Sequence, residues 1–439
     1  MTGSDVTKTS IQQAPLRPPV SEFRAGWPLV LGGLVGTGLG LPALMTNTIG
    51  VLAPHLAAEF KWSFAAIFGG IAIITIVFLV AGPLVGRLVD RSNPQRLLTA
   101  SFLGLSLGYL SLALSTGSIV QYYASWVVIC VTGLGTTPII FTRLINIAFD
   151  RRRGLALGLV LAGPGFVTAL LKPLAGWAID FGGWRCAVVV IGLLPVLVAL
   201  PVCRWALSRA TLTRSLEPDG QALQAPELTG VTLRAAMLTR TFWTMMVLFL
   251  PIAVAIAAII PHLENILRNT GLDPGRVIQL TTAMGIAVAA GRLICGWLMD
   301  QIWAPMVGAI SWVAAGFGFL MLGAAPVGFE QALVAIFLIG FAAGAEYDLM
   351  SFLVSRYFGL RHYGLIYGVA FAVFAVGAGF GPALLGHLYD LSGSYHTILE
   401  ANAFILFGSA PLLLTLGRYP REFAVGASSL KGKASHAIA

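Results

Sequence analysis

Twelve apolar runs, each long enough to cross a bilayer, constrain this chain more than any other feature. They fall at roughly 27–56, 63–88, 97–115, 119–149, 154–179 and 184–207, then at 241–267, 277–299, 306–325, 329–356, 363–389 and 397–418. A helix needs about 20 such residues to span ~30 Å of hydrocarbon. The runs are continuous rather than alternating, which argues against a transmembrane barrel. Charged residues make up 10% and apolar residues 57%. That is too little charge to coat soluble domains, which average about 25%. Soluble, disordered and disulfide-scaffold classes are excluded. An all-α polytopic membrane protein with 12 helices is the expected class.

The polar segments set the organisation: an N-tail at 1–26, a first bundle at 27–207, a linker at 208–240, a second bundle at 241–418 and a C-tail at 419–439. Of the 27 lysines and arginines, 20 fall on the tails, the linker and the loops after helices 2, 4 and 10. Four fall on the opposite loops (Lys61, Arg185, Arg268 and Arg276). This asymmetry places both termini in the cytoplasm of a multi-pass protein, expected in a bacterial inner membrane. The net charge of +9 is thus a topology signal, not a nucleic-acid footprint. The N-tail lacks the short apolar core of a signal peptide. Four scattered cysteines without metal-ligand spacing read as small buried hydrophobes.

The second half repeats the first. Gly86, Asp90, Gly154, Gly158, Gly176, Asp180 and Gly183 recur 210 positions later as Gly296, Asp300, Gly364, Gly368, Gly386, Asp390 and Gly393. Pro54-His55-Leu56 recurs as Pro261-His262-Leu263. Two six-helix halves in one orientation form a parallel repeat, which places a substrate site near the midplane between halves that rock. The acid–base cluster Gly86-Arg87-Leu88-Val89-Asp90-Arg91 reads as a conformational lock, with Asp90 free to cap a neighbouring helix and pair with an arginine. Its echo at Gly296–Asp300 lacks flanking arginines, so a weaker lock is expected there.

The Gly86–Arg91 segment resembles the loop 2–3 signature of the major facilitator superfamily. Glu59-Phe60-Lys61-Trp62-Ser63, Asp150 to Gly158, Arg356 to Arg361, Gly381-Pro382 and Tyr389 to Tyr395 are similar to the monocarboxylate porter and oxalate/formate antiporter branch. The resemblance implies a major facilitator fold, with helices 1, 4, 7 and 10 lining a cavity. It also implies that the helix 8 arginine, Arg292 here, anchors a substrate carboxylate. Independently, a guanidinium in mid-span costs at least ~2.5–3.5 kcal/mol unless it faces a cavity or a partner. Its planar fork suits a carboxylate. A structural ion pair with an acid on another helix is the competing reading.

Glu346 and Asp348 lie mid-span in helix 10, and two residues of separation point them about 200° apart. A carboxyl removed from water favours its neutral form, so either is a candidate proton carrier. Asn47, in the polar triplet Thr46-Asn47-Thr48, is a candidate substrate contact. Tyr367 and Phe371, with Phe374, share one face of helix 11 as a candidate cavity wall. Lys172 either draws anions inward or snorkels. Compared with the resembled branch, helix 1 has no lysine, Val288 stands where the mammalian porters carry an aspartate, and helix 11 has no lysine. One central cation favours a monocarboxylate.

The expected function is secondary transport: proton-coupled symport of a small organic or aromatic monocarboxylate by a functional monomer in the lipid bilayer. An organic anion exchanger or an effluxer of amphipathic compounds is the alternative. No nucleotide loop, metal cluster or serine elbow supports an enzyme, and no cofactor or metal is expected.

Overall fold

The computed structural model describes residues 22–215, 228–324 and 327–420. The remainder of the tails and the middle of the 208–240 linker lie outside the described residues. Among those described, regular structure is helical apart from one antiparallel bridge between Gly230 and Gly359.

The spans, numbered in chain order, begin with Glu22–Phe60, Ala66–Arg91, Pro94–Ala113 and Ile119–Ala148. The 58-residue stretch Arg153–Ala210 holds spans 5 and 6. Spans 7 to 12 are Arg240–Asn269, Pro274–Gln301, Ala304–Gly323, Phe329–Phe358, Tyr363–Ser392 and His396–Leu414. The long stretch crosses twice because the chain turns at Gly182 and Gly183, the latter with φ +74. Gly393, 210 residues on, ends span 11 with φ +68. Only glycine enters that left-handed region freely, so the repeat has kept it at both turns.

Helix starts follow from local chemistry. Asn93 and Asp273 accept hydrogen bonds from the first free N–H groups of spans 3 and 8, and Pro94 and Pro274 follow at the first helical position. Breaks inside spans are matched by side chains, because hydrocarbon offers no water to an orphaned backbone group. Span 1 is interrupted at Leu39–Gly40, and the Leu41 N–H donates to the Thr136 hydroxyl at 2.9 Å. Span 5 breaks at Ala162, just before the expected Gly163-Pro164-Gly165, where Thr37 donates to the Val160 carbonyl at 2.6 Å. In span 7 a π-helical turn covers Ala253–Ala257, and Asn402 donates to the Ala255 carbonyl at 3.2 Å. Cys130, Cys203 and Cys295 are buried and Cys186 is half-buried, and none is paired.

Spans 1–6 and 7–12 form two bundles. They meet where span 2 runs along span 11 and span 5 along span 8. These are equivalent helices under the 210-residue offset.

Candidate functional site

The two bundles are joined by a crosswise exchange at one end of the molecule. Asp90, at the end of span 2, accepts from the Gly364 and Leu365 N–H groups that open span 11, both at 2.9 Å. Asp300, at the end of span 8, accepts from the Gly154 and Leu155 N–H groups at the start of span 5, at 2.6 and 3.0 Å. Each half thus caps a helix of the other, and each carboxylate meets the positive end of a helix dipole.

Beside each cap the backbones touch through glycine. A β-carbon on Gly86 would strike the Gly364 carbonyl, and one on Gly154 would strike the Gly296 carbonyl. One turn deeper, Gly82 meets Gly368, and Gly158 meets the backbone of Arg292. Gly82 and Arg292 are themselves 210 apart, so the central arginine occupies a position that is glycine in the first half. Further along the same faces, β-carbons on Gly165 and Gly176 of span 5, or on Gly285 of span 8, would meet nothing within 4 Å. Spans 5 and 8 are closed at the capped end and part toward the other, whereas spans 2 and 11 stay in contact as far as Thr75 and Gly379.

Asp90 pairs with an arginine from outside its own cluster. Arg91 is exposed and joins none of these contacts. Arg143 of span 4 binds Asp90 instead, at 3.0 Å with both side chains largely buried. A helix-end arginine one residue from its aspartate points outward, whereas a residue on an adjacent helix can reach in. Among the described residues Asp300 has no ion pair, in keeping with the weaker echo, because the residue 210 after Arg143 is Leu353. Near Asp300 the halves are tied by Arg356, which donates to the Asp150 carboxylate and carbonyl, both at 2.9 Å. Arg153, expected as part of a topogenic cluster, is buried and donates to Ser355 at 3.1 Å. Further inward, Tyr363 donates to Thr142 at 3.0 Å and Asn146 to Ser351 at 3.1 Å. Neither Arg143 nor Asp150 was assigned a role from sequence. A charge within a span was the available signal for Arg143.

At the centre, Arg292 Nη1 donates to Asp348 Oδ1 at 3.3 Å. Arg292 is 14% exposed and Asp348 fully buried. Gly291 and Gly344 allow this pairing: β-carbons there would strike the backbones of Phe341 and Val288, so spans 8 and 10 approach closely. The guanidinium also lies 5.9 Å from the Tyr347 ring. Three buried oxygens nearby in sequence have no hydrogen-bond partner among the described residues: Asp348 Oδ2, Glu346 Oε1 and the Tyr367 hydroxyl. Buried polar atoms are rarely left so.

The other expected site residues are dispersed. Asn47 is half-buried and donates to Thr168 of span 5 at 2.8 Å, a bond between helices of one bundle. Lys172 is exposed, on the face of span 5 that holds Gly158 fourteen residues earlier. Tyr367 and Phe371 are buried rather than lining open space. Tyr367 stacks on Tyr363 at 5.3 Å, and Phe371 meets Phe78 of the other half edge-on at 5.4 Å.

Two repeated bundles that meet crosswise through paired acids and glycines are the architecture of a membrane carrier built from a parallel repeat. The chain belongs to the major facilitator superfamily, whose model matches residues 34–268 and 245–436. It is 26% identical over 415 residues to mouse monocarboxylate transporter 11, covering 89% of this chain and 88% of that one. It is also 26% identical to the gallate transporter of Pseudomonas putida, over 78% of this chain and 84% of the relative. The crystal structure of the E. coli fucose:proton symporter superposes with a TM-score of 0.64 at 13% identity, over 89% of this chain and 99% of the other. That likeness establishes the fold.

Proposed function

We propose that this transporter carries a small organic or aromatic monocarboxylate together with a proton. The observation that carries the reading is the Arg292–Asp348 pair, at 3.3 Å in mid-span and across two helices. A guanidinium held there by one carboxylate is a site for another carboxylate of the same geometry. The names of the relatives, a monocarboxylate and a gallate transporter, support an acid as substrate. With the basic end inside, the capped end is cytoplasmic, both termini lie there, and the parted end opens outward in a bacterial inner membrane. The linker 208–240 joins two six-helix domains on that same side of a functional monomer. Lys172 then stands beside the entrance and draws anions in. Asn47, Tyr367 and Phe371 are the further substrate contacts of this reading, and Asp90 and Asp300 hold the outward-facing state.

Uptake by proteoliposomes under an inward proton gradient tests the reading, with lactate, benzoate and gallate as probes. Accumulation that a protonophore abolishes is expected for at least one. Arg292→Lys keeps the charge but not the fork, and should lose at least ~10-fold in uptake. A lysine variant with full uptake would sink the anchor role. Uptake that needs internal substrate and ignores the gradient would make the protein an exchanger.

A further inference from the structure

We infer that the coupling proton rides on Asp348 and not on Glu346, with Arg292 passing between Asp348 and the substrate carboxylate. The inference rests on the monocarboxylate reading and assigns one of its two candidate acids. The argument is one of placement. Asp348 Oδ1 is held by Arg292, while its unpartnered Oδ2 lies 3.5 Å from where a β-carbon on Gly158 would stand. Gly158 belongs to the opposite bundle, so this oxygen rests against the moving seam. When span 5 draws away from span 8 at the capped, inner end, Oδ2 is uncovered toward the cytoplasm, which gives the proton its way out.

Glu346 has no such outlook. It shares the helical face of Ile339 and Leu349, and those two pack against Gly318 and Gly308 of span 9 within the same bundle. That packing does not depend on the seam, so Glu346 stays covered in either orientation of the halves. It too lies within reach of the Arg292 charge, so Glu346→Gln is the variant that isolates Asp348.

The charge count gives the stoichiometry. Arg292 balances one carboxylate. When a substrate carboxylate takes the guanidinium, an ionised Asp348 would be left buried and unpaired, which costs several kcal/mol. A proton from the outer water therefore moves onto Asp348 Oδ1, the oxygen that the partly exposed Arg292 vacates as it turns to the substrate. On the inner side the substrate departs, the proton passes from Asp348 to water, and the ion pair re-forms. One proton travels with each monocarboxylate. The titratable groups around Asp348 are Arg292 and Cys295 from span 8, Tyr367 from span 11, and Glu346 and Tyr347 on its own span. From span 5, Gly158 faces its Oδ2.

Binding of the probe chosen by the uptake panel, measured by calorimetry on purified full-length protein between about pH 6 and 8, tests this; that range lies above the ordinary carboxylic acid range. Linkage to one proton requires the wild-type Kd to weaken as pH rises, approaching tenfold per pH unit once the acid of the free protein is ionised. Asp348→Asn should abolish that slope and tighten the Kd at the alkaline end at least ~10-fold. Glu346→Gln should keep the wild-type slope. Should Asp348→Asn fail to purify, proton uptake on adding probe to unbuffered protein decides the same question: about one proton per site is expected in wild type and in Glu346→Gln. A slope or proton uptake lost in Glu346→Gln, or a slope kept in Asp348→Asn, overturns the assignment. Wild type that binds a probe without any slope overturns this inference alone. Wild type that binds no carboxylate overturns the functional reading beneath it.

Discussion

The Asp90 and Asp300 corners are the same device built twice, and they differ in what stands behind the carboxylate. Both cap a helix of the opposite half through two backbone N–H groups. Both lie beside a glycine-on-glycine backbone contact. Only Asp90 is held by an arginine of its own bundle, Arg143 at 3.0 Å. At the other corner the charge sits across the seam instead, between Arg356 and Asp150. The duplicated backbone geometry was retained while the charges diverged. The closure is therefore symmetric in shape and asymmetric in electrostatics.

That comparison can be broken most directly by removing each acid. Asp90→Ala strands a largely buried Arg143 as well as two N–H groups, and should destabilise the capped conformation by about 3–5 kcal/mol. Asp300→Ala removes a cap alone and should cost about 1–2 kcal/mol. Thermal unfolding in detergent, with thiol-reagent access to a cysteine placed between the halves at the capped end, would rank them. Equal effects would mean that Arg143 contributes nothing.

Shape should show no such bias. Gly86→Ala and Gly154→Ala each force a methyl into an opposing carbonyl, and each should cost about 1–3 kcal/mol by the same two measurements. A difference well beyond that spread would show that the corners are packed unequally.

The arginine can be isolated by a double-mutant cycle. Arg143→Leu should reduce the effect of Asp90→Ala toward that of Asp300→Ala, with a coupling of about 0.5–3 kcal/mol. Additive losses would place the asymmetry elsewhere. The smallest effect belongs to Arg356→Ala, about 0–1 kcal/mol, since its pair with Asp150 is partly open to solvent. Raising the salt concentration should erase that loss and leave the Asp90 effect nearly intact.

The sequence carried the frame of this comparison. The 210-residue offset singled out Asp90, Asp300, Gly154 and Gly364 before any fold was known, and these four meet crosswise. What it lacked was the pairing between helices. An arginine partner for Asp90 is legible in the sequence but its identity is not: a helix end turns the adjacent Arg91 outward, and the partner is Arg143 of span 4. Arg153 looked like one of three inner-face charges, and nothing in Arg151-Arg152-Arg153 tells which one is buried. Arg292 stood out because a lone cation in mid-span needs an explanation, although its partner among Glu346 and Asp348 depended on which face of span 10 meets span 8. Tyr367 and Phe371 were correctly placed on one face. Periodicity reports which residues share a face, not whether that face is open in a given orientation of the halves.

The glycine contacts at the seam bear on how often this interface can part and close. Where Gly86 meets Gly364 and Gly154 meets Gly296, backbone lies directly on backbone. An interface of long side chains would have to freeze each of them anew on every closure, at up to about 1.5–2 kcal/mol of rotamer entropy apiece. Glycine has no rotamers to freeze. The closing surfaces have only one shape to find, and this end, once parted, can return to register without a search.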